Sequence, residues 1–199
     1  MTALVLASQN PKKAAELAPL LAPLGWTLQP LSDFTAESAV EDGAGFIDNA
    51  LIKARFAARV SGLPAVADDS GLAVDALDGA PGVHSARFAG EHGNDEANNE
   101  RLLHELAGRP AAERGASFHC LLAFVRHADD PVPLIAHGQW RGRVLDAPAG
   151  DAGFGYDPLF LPDGETRSAA QLSPQEKAAV SHRGQAVRRL LAQLADHAA

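Results

Sequence analysis

The chain has 199 residues, 46% of them hydrophobic and 21% charged, enough to bury one sizeable core without an external staple. Its formal net charge of −8, with no local run of lysine and arginine to offset it, disfavours loose binding to DNA, RNA or an anionic membrane surface. The single cysteine, Cys120, excludes an internal disulfide, and no apolar run approaches the roughly 18 residues of a membrane span. With no secretory pattern at the amino terminus, the expectation is one compact domain over residues 1–199 in a reducing cytoplasm.

Ala3 to Ala7 is a short apolar run that stops at Ser8, Gln9, Asn10 and Pro11, which predicts a buried strand followed by a loop. Asn10 is placed to cap a helix with Pro11 at its first position. Leu17, Leu20, Leu21 and Leu24 then recur at helical spacing until Gly25. Trp26 to Leu31 reads as a second strand. After a polar stretch containing Glu41, Asp42, Gly43 and Gly45, a helix starts at Phe46, with Ile47, Ala50, Leu51, Ala54 and Ala58 on its inner face. Pro64 to Ala67 reads as a short strand running into a polar DDSG loop, and Asn94 to Leu106 as a capped surface helix ended by Gly108. Ala116 to His127 and Leu134 to Leu145, parted by Asp129, Asp130 and Pro131, predict an antiparallel hairpin. Ser173 and Glu176 form a capping box, and Ser181 to Leu194 the last helix.

Two segments stand where strands are predicted to end, Ser8 to Lys13 and Asp68 to Gly71, and in open α/β sheets ligands gather at such ends. The first joins a helix amino terminus, which favours anions, to Ser8, Asn10, Lys12 and Lys13. It lacks the glycines of a Walker loop, and taken alone it is better read as a plain helix cap with solvated lysines. The adjacent carboxylates of Asp68 and Asp69 repel unless a cation or strong donors compensate, and magnesium needs only one or two protein carboxylates, such as Asp69 with Glu41. A simple aspartate turn, with Gly71 at a positive dihedral, is the competing account. Gly153 to Pro158 sets aromatic rings among glycines, open to stacking on a base, while Asp157, Lys177, His182 and Arg183 could read a purine edge. Cys120 lacks the setting of a nucleophile, and His84, His92, His104 and His119 lack metal-site spacing.

The ordered motifs ASQNPKK, FIDNALIKA, ADDSGLAVDALDGAPGVHSARFAG, FHCLLAFVRH, AGFGYDPLF and LSPQEKAAVSHRGQA resemble those of the inosine/xanthosine triphosphate pyrophosphatase family, the bacterial purine nucleotide house-cleaning enzymes. The resemblance spans nearly the full chain. It implies an α/β fold, elongated and two-lobed, with a central mixed twisted sheet flanked by helices, and a homodimer. It also implies magnesium-dependent hydrolysis of aberrant purine nucleoside triphosphates (ITP, dITP, XTP) to the monophosphate and pyrophosphate. Carried over by position, Ser8, Asn10, Lys13 and Lys53 resemble the triphosphate contacts, Glu41 and Asp69 the magnesium ligands, and Asp69 the general base. Ser70, Phe154, Tyr156, Asp157, Lys177, His182 and Arg183 resemble substrate contacts, with Phe154 the stacking platform and Asp68 a support for Asp69 or a water. The chain departs from the family pattern at Ser8 and Gln9, where threonine and glycine are common, and at Ala152, where glycine is. A pyrophosphatase for other modified nucleotides and a nucleic-acid-binding module are the alternative expectations.

Overall fold

The computed structural model describes residues 3–8 and 10–198, so Gln9 lies outside the described residues. Among the described residues six strands and five α-helices follow one another as β1 (Ala3–Leu6), α1 (Pro11–Leu21), β2 (Thr27–Pro30), α2 (Phe46–Ser61), β3 (Ala65–Val74), α3 (Asp95–Glu105), β4 (Gly115–Val125), β5 (Leu134–Val144), β6 (Phe160–Pro162), α4 (Pro174–Val180) and α5 (His182–Ala198). The strands form one sheet in the order β2-β1-β3-β4-β5-β6. β1 runs parallel to both β2 and β3, whereas β5 and β6 are antiparallel, so the sheet is mixed and the fold is α/β. Among the described residues no helix is long and apolar enough to cross a membrane.

The chain divides by its contacts into two compact units: one holds the residues up to Asp69, Cys120–Gly138 and those from Arg183 onward; the other holds Ser70–His119 and Gln139–His182. In the first unit the alternation of strand side chains sorts the core into two layers. Leu4, Leu6, Val66, Cys120, Leu122 and Phe124 pack with Leu17 and Leu21 of α1 and Val187, Leu190 and Leu194 of α5. Their sequence neighbours Val5, Ala7, Ala65, Ala67, Ala123 and Val125 pack instead with Ala50, Ala54, Ala57 and Ala58 of α2. The alanine face brings α2 close to the strands, which matters for the polar groups it carries. The second unit has its own core, in which Leu72, Val74, Leu102, Leu106, Trp140, Leu159 and Phe160 take part.

Two expectations are corrected here. The first helix ends at Leu21, then tightens into a 3-10 turn over Ala22–Leu24 before Gly25 closes it at φ 64°. Pro23 has no N–H to give the carbonyl of Pro19, so the α-helical ladder cannot continue there. The DDSG run is not a loop: β3 continues through it to Val74, and Gly71 is not among the glycines with positive φ. Asp68 and Asp69 are therefore neighbours in a strand interior, and their side chains leave on opposite faces.

The segment joining β4 to β5 is fastened by a buried carboxylate. Asp130 accepts hydrogen bonds from the Arg126 and Val132 backbone N–H groups at 2.9 and 3.0 Å and from Arg126 Nε at 2.8 Å. The hydrogen-bonded Arg126 guanidinium holds this carboxyl far below the usual carboxylate range, against the opposing effect of burial. A depressed folded pKa contributes stability above the unfolded value of about 3.9, and loses it as pH falls through the lower folded value. Asp130→Asn is expected to cost about 1–3 kcal/mol in urea unfolding at pH 7, with the gap to the parent chain narrowing as the pH is lowered below about 4.

Candidate active site

In the first unit, Asn10 caps α1: its Oδ1 accepts from the N–H groups of Lys12 and Lys13 at 2.9 and 3.2 Å, while the Ser8 hydroxyl donates to the Asn10 carbonyl at 3.3 Å. The cap thus already engages two of the amide donors at this helix end. What reaches onward is the side chain of Lys13, whose ammonium lies 3.4 Å from Asp68.

The loop before α2 carries Glu41 and is held against the helix by two backbone contacts. Gly43 N–H donates to Asn49 Oδ1 at 2.9 Å, and Gly45 N–H to Asp48 Oδ2 at 3.0 Å. A Cβ on Gly43 would stand 2.5 Å from that of Asp48, so only glycine permits this approach. One turn apart on α2, Asn49 and Lys53 face β3 together. Asn49 Nδ2 donates to Asp69 Oδ2 at 3.4 Å and Lys53 Nζ to Asp69 Oδ1 at 2.9 Å; the same Nζ donates to Glu41 Oε2 at 2.8 Å. Glu41 and Asp69, 28 positions apart in sequence, converge on one ammonium.

Burial pushes the Asp69 carboxyl above its usual range, against the pull of Lys53. Burial also works against the charge on Lys53, but Asp69, Asp68 and Glu41 outweigh it and raise the pKa of the ammonium. Two carboxylates that gather around a cation offer the hard oxygen ligands that a magnesium ion takes from a protein. Among the described residues no group of three or more His, Cys, Asp or Glu is gathered to hold a metal unaided.

On the other face of β3, Asp68 is 2% exposed and lies between Lys13 and Arg183 Nη2, the latter 3.7 Å away. Arg183 also forms an ion pair with Glu16 of α1. Arg183, expected beside a purine edge, is buried at 2% exposure in the first unit. Asp68, expected to support Asp69 or a water, is paired here with Lys13 and Arg183.

The second unit holds most of the other expected contacts. Asp157 is buried, and its Oδ2 accepts from Phe154 N–H at 2.8 Å and from Lys177 Nζ at 2.7 Å. The Lys177 ammonium stands 5.0 Å from the centre of the Phe154 ring. Gly153, at φ 77°, is required here, since a Cβ would come within 2.2 Å of the Asp157 carboxylate. Ser173 and Glu176 form the expected capping box and fix the short helix α4 that presents Lys177. His182 is buried and stacks on Phe118, with ring centres 4.8 Å apart and planes at 10°, and beside Trp140 at 6.3 Å. Tyr156 belongs to the core, and its hydroxyl donates to the Ser85 carbonyl at 2.9 Å. Ser70 is half-buried within β3.

Two polar residues of these surroundings were not singled out from sequence: Asn49 and Glu16. For Asn49 a signal existed, its spacing of four from Lys53 on a helix. Glu16, three positions after Lys13, offered the same kind of signal.

The Ham1 family model matches residues 4–193. The dITP/XTP pyrophosphatase of Yersinia pseudotuberculosis is 54% identical over 196 residues, covering 98% of this chain and 100% of its own length. The dITP/XTP pyrophosphatase of Escherichia coli O157:H7 is 51% identical over 191 residues, covering 96% and 97%. Among solved structures, a HAM1 protein from Coxiella burnetii superposes with a TM-score of 0.91 at 46% identity, covering 98% of this chain and all of its own. A nucleoside-triphosphatase, dITP/XTP pyrophosphatase, from Mycobacterium abscessus superposes with a TM-score of 0.78 at 49% identity, covering 96% and 99%. The family match and these full-length likenesses agree with the motifs, and the chain belongs to the Ham1 family.

Proposed function

We propose that this chain is a nucleoside triphosphate pyrophosphohydrolase that removes aberrant purine nucleotides, dITP, XTP and ITP, from the nucleotide pool. The observation that carries the chemistry is the convergence of Glu41 and Asp69 on the ammonium of Lys53. The substrate class rests on the dITP/XTP pyrophosphatases that share half or more of its residues. The protein acts in the cytoplasm as a homodimer, with magnesium as its cofactor.

Water attacks the α-phosphorus, the bond from that phosphorus to the bridging oxygen breaks, and pyrophosphate leaves with the bond's electron pair. Asp69 accepts the proton of the attacking water, a role suited to a buried carboxylate whose basicity exceeds that of a free one. Glu41 and Asp69 would hold magnesium, which when bound neutralises charge building on the phosphate oxygens. Lys13 and Lys53 draw the triphosphate in through their ammonium groups, and Ser8 and Asn10 order the loop before α1.

In the second unit Phe154 offers a ring face to the base, and Lys177, held by Asp157, offers donors to a keto oxygen at position 6 of the purine. An amino group at that position, as in adenine, cannot accept from Lys177, so ATP forgoes this hydrogen bond and is disfavoured.

Pyrophosphate release from dITP, XTP, ITP, GTP and ATP, measured with magnesium and with EDTA, tests the assignment. Turnover of the first three at least about a hundredfold above ATP, lost with EDTA, is the expected result. Equal rates on all five, or release of orthophosphate in place of pyrophosphate, would refute it.

A further inference from the structure

Helix α3 packs Leu102 and, in part, Leu103 against the core and reads from sequence as a surface helix. In the structure Asn94, Asp95, Asn98 and Asn99, at its amino-terminal end, are engaged with backbone. Asn94 caps it, accepting from Ala97 N–H at 3.1 Å. Asn98, buried, accepts from Ala89 N–H at 2.7 Å. The remaining pair converges on one residue: Asp95 Oδ2 accepts from Gly155 N–H at 2.9 Å, and Asn99 Nδ2 donates to the Gly155 carbonyl at 2.9 Å. Both backbone groups of Gly155 are thereby held by side chains 60 and 56 positions away in sequence.

Gly155 is the residue between Phe154 and Tyr156, and it adopts a left-handed φ of 61° with open space where a Cβ would stand. A glycine free of steric restraint samples more backbone conformations than any other residue, so the peptides on either side of it stay in one orientation only if something outside holds them. The segment does not depend on α3 for its overall placement. Tyr156 is anchored in the core and on Ser85, Leu159 is fully buried, and Asp157 ties back to Phe154 N–H. What the two α3 side chains add is the setting of the Gly155 peptides, and through them the plane of the Phe154 ring over which Lys177 stands.

We propose that Asp95 and Asn99 are positioning residues for base recognition, clamping Gly155 so that Phe154 and Lys177 keep the geometry that selects a purine. This rests on the proposed assignment of Phe154 and Lys177 to the base. Neither residue is among those proposed to hold the triphosphate or the metal, so their effect falls on nucleotide affinity and base preference and leaves the rate of bond cleavage in place.

The experiment measures kcat and KM for dITP and dATP, together with inhibition by inorganic tripolyphosphate, in Asp95→Ala, Asp95→Asn and Asn99→Ala. Asp95→Ala is expected to raise KM for dITP about tenfold, the scale of one lost charge-assisted hydrogen bond, with kcat within about twofold of the parent. Its preference for dITP over dATP narrows while tripolyphosphate inhibits unchanged. Asp95→Asn, whose amide oxygen still accepts from Gly155 N–H, restores KM, as loss of bulk fold stability would not predict. Asn99→Ala shifts KM and preference in the same direction, and it carries the test should Asp95→Ala fail to fold. Unchanged KM and preference in Asp95→Ala and Asn99→Ala, beside a parent enzyme that does prefer dITP, would overturn the clamp. A parent enzyme with no preference among bases would instead overturn the base assignment on which it stands.

Discussion

Replacing Asp69 with asparagine should lower kcat for dITP by about a thousandfold at saturating magnesium, with little change in the folded structure. The side chains are nearly isosteric, and an asparagine oxygen can still accept the Lys53 ammonium that Asp69 Oδ1 accepts at 2.9 Å. What disappears is the negative charge and the basic lone pair. Asp69 lies in a strand interior, 7% exposed, where burial raises its affinity for a proton above that of a free carboxyl. An amide takes no proton from the attacking water and gives a divalent cation a neutral ligand in place of an anionic one. Affinity for manganese, followed by its spin resonance without nucleotide, should therefore fall alongside kcat, while the thermal midpoint measured in EDTA stays within a few degrees. Single-turnover rates on excess enzyme separate the chemical step from product release. Turnover near that of the parent chain, with manganese affinity intact, would remove Asp69 from both roles.

How far the sequence led toward this site depended on how local each feature is. The cap of α1 was legible because Asn10 and Pro11 specify it within three residues, and the structure places Asn10 Oδ1 on the Lys12 and Lys13 amides. The end of α1 was harder, since leucine spacing continues past Leu21 while two prolines remove the donors the helix needs. The DDSG run misled by its composition: polar residues before a glycine resemble a turn, yet β3 runs straight through them. Its two carboxylates tolerate a strand interior because α2 supplies Asn49 and Lys53 to one, and α1 and α5 supply Lys13 and Arg183 to the other. Helix spacing links Asn49 to Lys53 and Glu16 to Lys13, but no local pattern tells which carboxylate each meets; Glu16 and Arg183, which form an ion pair, are 167 positions apart. The family resemblance pairs Glu41 with Asp69 as metal ligands and gives Lys53 to the triphosphate, and the fold is what brings both carboxylates onto the Lys53 ammonium. Tyr156 shows the opposite limit: an aromatic ring among glycines reads as open to a ligand, whereas its hydroxyl is engaged with Ser85 inside the core.

Lys53→Met should weaken the protein in EDTA and regain much of that loss when magnesium is added. In the parent chain the ammonium is the shared counter-ion of Glu41 and Asp69, and its own side chain is 16% exposed. Methionine keeps the length and apolar stem but leaves the two carboxylates facing each other without a cation. Breaking a fully buried pair by removing one partner costs about 3–5 kcal/mol. Glu41 is 37% exposed and solvent screens its share, so a loss of about 2 kcal/mol in urea unfolding is expected. A divalent cation can take the place of the ammonium between the same oxygens, so magnesium should stabilise the variant more than the parent by mass action. Activity does not return with it. A metal ion between the carboxylates does not replace the donor that Lys53 offers a phosphate oxygen, and kcat/KM for dITP should remain down by about a hundredfold even at saturating magnesium. The two readouts therefore part company: stability follows the charge balance of Glu41 and Asp69, activity follows the ammonium itself. A variant equally stable with and without magnesium would show that Lys53 is not the counter-ion of this pair, and a variant with full activity would show that the triphosphate does not use it.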